Sequence, residues 1–243
     1  MATAVVKRQF PVVTPKGCAV LRVCRALLLV LCLPAASVAQ STVDPQVWTL
    51  LLATVRPDAD WRVHLELQPR VGEAASGLDQ SIARWAIGRQ LTPRVSLWAG
   101  HAWIANPPGP GTWHEQRLWQ QASVTLPPAA GWAPSLRFRL EQRFADRWSS
   151  TSHRARALAR VTRPLDAERR WSLVAWDELF VTLDDTTVGP TRGVDRNRVF
   201  GGARRQLSTA AALEAGYLWQ AALPRSGPRQ DVHAAFVWLD LLF

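Results

Sequence analysis

"SLRFRLEQRFADRW", residues 135–148, sets Leu136, Phe138, Leu140 and Phe144 against Arg137, Arg139, Glu141 and Arg143 in strict alternation. A period of two belongs to a β-strand, whose successive side chains point to opposite faces. This segment therefore has one apolar face and one densely charged face. In a soluble sandwich the apolar face is core and the charges meet water. In an outer-membrane barrel the apolar face meets lipid and the charges fill the lumen. The remainder of the chain has to decide between the two.

The pattern recurs. Segments of roughly ten residues, bounded by turn chemistry, predict strands near 47–55, 61–70, 80–91, 94–104, 114–126, 135–145, 153–163, 171–183, 195–207, 211–222 and 231–243. The clearest is "WRVHLELQPR" (61–70), where Trp61, Val63, Leu65 and Leu67 oppose Arg62, His64, Glu66, Gln68 and Arg70. The connections alternate in kind. Those at 56–60, 92–93 and 208–210 are short, and those at 127–134 and 164–170 are intermediate. Gly/Pro/Asp-rich ones at 71–79, 105–113, 146–152, 184–194 and 223–230 are longer. Short turns at one end and long loops at the other are how a bacterial outer-membrane barrel is threaded. Eleven segments conflict with the even strand number usual for single-chain barrels. The expectation is an all-β, antiparallel transmembrane β-barrel of 10–12 strands, with twelve preferred.

The first 39 residues stand apart from the strand pattern. Lys7, Arg8, Lys16, Arg22 and Arg25 precede an apolar run, Ala26 to Leu33, and then "PAASVA". This reads as a signal peptide, 1–39, cleaved after Ala39, followed by one barrel domain, 40–243. The apolar run is short of the about 20 residues that a spanning helix needs. The basic region is long enough to place the true start nearer Val20, although the only methionine is Met1. All three cysteines (Cys18, Cys24, Cys32) fall within the leader, which excludes disulfides, thiol nucleophiles and cysteine-bound metal from the mature chain. Removing the leader's five basic residues from the chain's 29 leaves 24 arginines against 19 acids. An exported chain of that charge is read as having no nucleic-acid partner.

The final stretch, "AAFVWLDLLF", puts Ala235, Val237, Leu239, Leu241 and Phe243 on one face and ends in an aromatic residue. Such an ending resembles the signal that outer-membrane proteins present to the barrel assembly machinery. Trp48, Trp61, Trp103, Trp113, Trp132, Trp148 and Trp171 fall at strand ends, as aromatic girdles require, whereas Trp85 and Trp176 suit core packing.

Six motifs occur in order: "HEQRLWQQ" (114–121), "RLEQRF" (139–144), "WDELF" (176–180), "DRNRVFGG" (195–202), "LEAGYLWQ" (213–220) and "LDLLF" (239–243). Together they resemble a family of bacterial outer-membrane β-barrels known only as a domain of unknown function, family 2490. The resemblance runs across essentially the whole mature chain. It implies an outer-membrane barrel of a Gram-negative bacterium and carries over no catalytic or binding residues.

A lipid-facing apolar surface sends Arg62, Glu66, Arg70, Arg137, Arg139, Glu141, Arg143, Glu178, Arg198 and Glu214 into the lumen, joined by Arg154, Arg156, Arg160, Arg196 and Arg204. Arginine suits such a place because its planar fork binds carboxylates bidentately and stays charged. Two readings follow: a self-satisfied polar core, or a narrow anion-attracting passage. The alternative class is a membrane-embedded lipid-modifying enzyme. Its candidates are Ser149, Ser150 and Ser152 beside His153, and the pair His114–Glu115. No cofactor and no metal site is expected, although Asp184, Asp185 and Asp195 mark an acidic outer loop. The expected surroundings are outer-membrane lipid and lipopolysaccharide, whose phosphates would meet Arg147, Arg192, Arg225 and Arg229.

Overall fold

A computed structural model describes residues 42–72, 77–106, 111–224 and 228–243. Among them there is no helix, and eleven strands follow in chain order. They are β1 (Thr42–Val55), β2 (Trp61–Gly72), β3 (Gly77–Thr92), β4 (Val95–Asn106), β5 (Trp113–Thr125) and β6 (Ala133–Ala145). Then come β7 (Ser152–Pro164), β8 (Trp171–Thr182), β9 (Gly193–Gln206), β10 (Ala211–Ala222) and β11 (Gln230–Leu242). Each pairs with its chain neighbour, and β1 pairs with β11, closing a barrel. The proposed leader, including Ala39, lies outside the described residues.

Closure corrects one expectation. The described strands number eleven and not twelve, and β1 runs parallel to β11, in register from Thr42↔Gln230 to Thr54↔Leu242. The other pairings are antiparallel. An up-and-down chain with an odd number of strands brings its first and last strands together pointing the same way, so the even-number rule fails once a parallel pair is accepted. Parallel ladders are slightly less stable per residue, which is a small cost for removing both edges. One consequence is that β1 starts at the end of the barrel that carries the longer connections, whereas β11 finishes among the short turns. Phe243 is tied there by its own N–H to the Thr54 carbonyl (2.9 Å) and by the Arg56 N–H to its carbonyl (2.8 Å). At the same end the Asp58 carboxylate accepts the backbone N–H groups of Asp60 and Trp61, at 2.8 and 2.7 Å. Those bonds, that of Trp61 foremost, hold its pKa below the ordinary carboxylate range.

The two faces of the wall differ in kind. Leu65, Leu67, Trp85, Ile87, Leu97, Trp103, Leu118, Phe138, Leu140, Phe144, Leu173 and Tyr217 are exposed on the outside. The interior has three sectors. Trp48, Val174, Phe200, Leu218, Val232, Ala234 and Phe236 pack together across β1 and β8–β11. Ile82, Ala86, Ala102, Ile104 and Trp119 form a second apolar cluster on β3–β5. Between them, chiefly on β5–β9, lie the charged residues. Trp48 is therefore no girdle residue: it is 1% exposed and faces the lumen. Trp85, expected in the core, is 54% exposed on the outer wall. Nearness to a strand end does not set a residue's face; alternation does, and in β1 from Val47 onward both faces are mainly apolar.

Two glycines allow one close approach. Gly202 and Gly216 are directly opposed on β9 and β10. A Cβ on Gly216 would fall 2.3 Å from the Gly201 carbonyl oxygen and 2.6 Å from the Gly202 Cα. The Phe200 ring covers this pair and stacks on Trp176 at 5.2 Å. Gly216→Val should lower stability by about 1–3 kcal/mol through overpacking. Urea unfolding followed by tryptophan fluorescence would show it as a lower midpoint at an unchanged slope.

Candidate functional site

In each charged strand, alternation aims every second residue inward, and β6, β7 and β8 bring their acids and bases to one level. Glu141 on β6 and Glu178 on β8 are 1% and 2% exposed. Arg154 donates from Nε and Nη2 to Glu141 Oε2 at 3.0 and 2.6 Å, and Arg156 Nη1 donates to Oε1 at 2.6 Å. Glu178 Oε1 accepts from Arg137 Nη2 at 2.7 Å and from Arg156 Nε and Nη2 at 2.9 and 2.6 Å. Arg156 thus bridges the two glutamates.

Around this centre sit further pairs. Glu115 receives two bidentate forks, from Arg117 (2.7 and 3.1 Å) and from Arg143 (2.6 and 3.2 Å). Glu214 receives Arg160, three strands away, at 3.0 and 2.5 Å, with Arg204 at 3.8 Å. Glu66 is paired with Arg84. Charge-assisted, bidentate bonds of this kind are the strongest that side chains make.

Four inward arginines are answered mainly by neutral groups. Arg70 donates to Gln68 Oε1 at 2.8 Å and lies 3.7 Å above the Trp48 ring. Arg139 donates twice to Gln121 Oε1, at 2.9 and 2.6 Å, and covers Trp119 at 4.1 Å. Arg198 and Arg196 share Gln220 Oε1 at 2.7 and 3.4 Å. Glutamine supplies an acceptor without cancelling charge, so the lumen keeps a positive excess.

Of the residues expected in the lumen, Glu66, Arg70, Arg137, Arg139, Glu141, Arg143, Glu178, Arg198 and Glu214 come together inside, as do Arg154, Arg156, Arg160, Arg196 and Arg204. Arg62 does not. Its guanidinium stays at the rim and donates to the carbonyls of Asp58 (3.2 Å) and Trp61 (2.8 Å). Alternation alone does not single out Arg84, Glu115, Arg117, Gln121 and Gln220, because their strands mix apolar and polar groups on the inward face. The signal was present in the phase: Arg84 lies two residues after Ile82, and Glu115 and Arg117 keep step with Trp119. Val237, Leu239 and Leu241 share the outward face of β11, with Phe243 just beyond it, exposed.

The enzyme candidates do not assemble. Ser152 and His153 are strand neighbours on opposite faces, and both donate to Asp184, at 3.3 Å from the hydroxyl and 2.6 Å from the ring Nδ1. A serine nucleophile would instead have to donate to the histidine. Burial of Asp184 raises its pKa, but the bonds from His153 outweigh that and hold it below the ordinary range. His114 points outward and stacks on Trp103 at 5.5 Å, while Glu115 points inward. Asp185 accepts the Arg192 backbone N–H at 2.9 Å, and Asp195 turns toward Thr182 and Arg154. Among the described residues no group of three or more His, Cys, Asp or Glu side chains is placed to hold a metal ion. Arg225 lies outside the described residues. An apolar depression of about 750 Å³ follows Ile87, Leu97, Ala99, Ala122, Phe138 and Leu140 on the outer wall.

A cavity of about 210 Å³ lies in the lumen at the end carrying the longer connections. It is lined by Arg70, Arg84, Arg117, Arg143, Arg147, Arg154, Arg156, Arg196 and Arg198, with Glu115 the single carboxylate, and by Gln80, Asn106, Trp113, Trp148 and Phe180.

The network implies unequal sensitivity. Glu141→Ala leaves buried Arg154 with only Asp195 at 3.5 Å and takes one of the two acids from Arg156, and should cost about 3–5 kcal/mol, whereas Arg62→Ala should stay within about 0.5 kcal/mol. Equilibrium denaturation of the two variants side by side would check the contrast.

Residues 45–231 match the family of proteins of unknown function DUF2490. An uncharacterised protein of Methylorubrum extorquens is 34% identical over 207 residues, which cover 82% of this chain and 89% of that protein. The chain belongs to the DUF2490 family.

Proposed function

Starting from that membership, we propose that this barrel spans the outer membrane of a Gram-negative bacterium as a closed, self-paired barrel and not as an open pore. The observation that carries this is the pairing of an apolar outer wall with a buried Arg–Glu interior, the inverse of a soluble protein. Strands of 12–16 residues at about 3.3 Å per residue and a tilt of about 40° exceed the roughly 25 Å apolar band of such barrels. The polar groups on the outer wall are matched to one another. Gln120 and Gln142 exchange amide bonds at 3.2 and 3.1 Å, His101 meets Gln116 at 3.1 Å, Asn197 donates to Asp177 at 3.0 Å, and Tyr217 meets His233. That is what a hydrocarbon environment demands of polar groups.

On this reading the leader is cleaved near Ala39, and the β11 face of Val237, Leu239 and Leu241, ending in Phe243, is what the assembly machinery reads. The longer connections then lie outside the cell, where exposed Arg192 meets lipopolysaccharide phosphate. On this reading the Arg–Glu pairs fill the central lumen, which argues against the passage of bulk ions.

Residues 40–243 lack cysteine, which makes topology simple to test. Val188→Cys, in the longest connection, should react with a membrane-impermeant maleimide on intact cells, and Thr209→Cys, in a short turn, only after lysis. Recovery of the chain in the soluble periplasmic fraction would sink the membrane reading. In planar bilayers the folded protein should pass no steady current; stepwise conductance would sink the closed-lumen reading alone.

A further inference from the structure

We infer that the arginine-lined cavity at the long-connection end is a binding site for a small, multiply charged phosphate-type oxyanion. Three observations converge on it. First, Arg70, Arg196 and Arg198 take glutamine as their main acceptor, and Arg147 lies over Trp113 at 4.0 Å, so their charges are incompletely cancelled within the chain. Second, buried donors of the lining have no partner: Arg70 Nε, Arg196 Nε and Asn106 Nδ2. A buried donor left unmade costs about 1–3 kcal/mol, and three on one cavity are explained by an acceptor that completes them. Third, Glu115, the one carboxylate of the lining, already receives four N–H bonds from Arg117 and Arg143. It therefore offers an incoming anion little repulsion.

Size and chemistry narrow the ligand. The volume of about 210 Å³ equals the share of about seven waters in the liquid. A diphosphate-sized ion with some water fills it, and the sugar headgroup of a glycolipid does not enter. Guanidinium forks match the spacing of phosphate oxygens, and several forks from different strands select for charge of two or more. The same chemistry is present on lipopolysaccharide, so the source has to be separated by experiment. The inference rests on the interior geometry and not on the membrane reading, and either can fail without the other.

Isothermal titration of the purified, folded protein in neutral detergent would use inorganic pyrophosphate, inorganic phosphate and diphosphoryl lipid A as separate ligands. Pyrophosphate should bind with one site per chain, more tightly than phosphate, and the affinity should fall as salt rises. Arg70→Gln and Arg196→Gln each remove a charge that forms no ion pair among the described residues, and Asp195, beside Arg196, keeps Thr182 and Arg154, so the barrel should still fold. Each should weaken pyrophosphate on the order of tenfold, with the double variant losing measurable binding. Arg205→Gln, exposed beside Trp171 at the opposite end, should change nothing. Should a variant misfold, pyrophosphate should still raise the unfolding temperature of the unaltered protein, and chloride at equal ionic strength should not. Binding of lipid A without pyrophosphate, or pyrophosphate binding unchanged in the double variant, would overturn the site, as would no binding at all.

Discussion

The interior depends on two glutamates being taken out of water. Removing a carboxylate from solvent costs several kcal/mol, repaid only when its oxygens are bonded in good geometry. Glu141 and Glu178 meet that condition through Arg137 of β6 and Arg154 and Arg156 of β7. Because Arg156 serves both acids, β6, β7 and β8 are locked to one another in register. A slip by one residue would turn every charge onto the outer face and every leucine and phenylalanine inward. The apolar sectors do not enforce register so strictly, since hydrophobic packing is satisfied by shape and volume. Specificity of the wall is thus concentrated where the charges are.

The choice of acceptor then divides the lumen in two. Where arginine faces glutamate, charge is cancelled and the strands are tied. Where it faces Gln68, Gln121 or Gln220, it finds a neutral acceptor and its charge is kept. Rings do related work: Trp48 carries Arg70 on its face and has Arg198 at 5.0 Å, while Trp119 carries Arg139. A cation over a ring is stabilised without a counter-ion. Several of the uncancelled guanidiniums gather toward the longer connections, which gives the barrel a positive end and a paired middle.

Much of this was legible from alternation. All eleven strand segments correspond to strands within a few residues, and the charged face of residues 135–148 points inward as expected. Legibility failed where a strand has no amphipathic contrast. β1 from Val47 onward is mainly apolar on both sides, so alternation gives Trp48 no face. β3 carries Ile82 and Ala86 inward beside Arg84, so its charge was overlooked. The strand number differs for another reason: eleven segments are legible, but the even number usual for single-chain barrels points away from them, and only a parallel closing pair admits an odd count. Interior pairs such as Arg160–Glu214 join strands far apart around the wall, and no local pattern encodes them.

The parallel seam is the unusual joint of this wall, yet it is continuous. Its register runs without interruption from Thr42 to Thr54, and the middle of its lumenal side is apolar, with Trp48 packed among Val232, Ala234 and Phe236. The gap in pairing lies on the other side of β1. There the register with β2 passes from Trp48↔Arg70 to Leu51↔Leu67, leaving Thr49 and Leu50 unmatched. Pro69 stands opposite that gap. It has no N–H to give to a ladder, and only the Thr49 hydroxyl reaches its carbonyl, at 3.4 Å. The β3 side of Pro69 keeps its register with Ser81. The proline therefore interrupts one ladder over two residues and spares the other, so the pairing with β11 is the unbroken side of β1. Closure by a parallel pair thus gives the first strand its one continuous ladder.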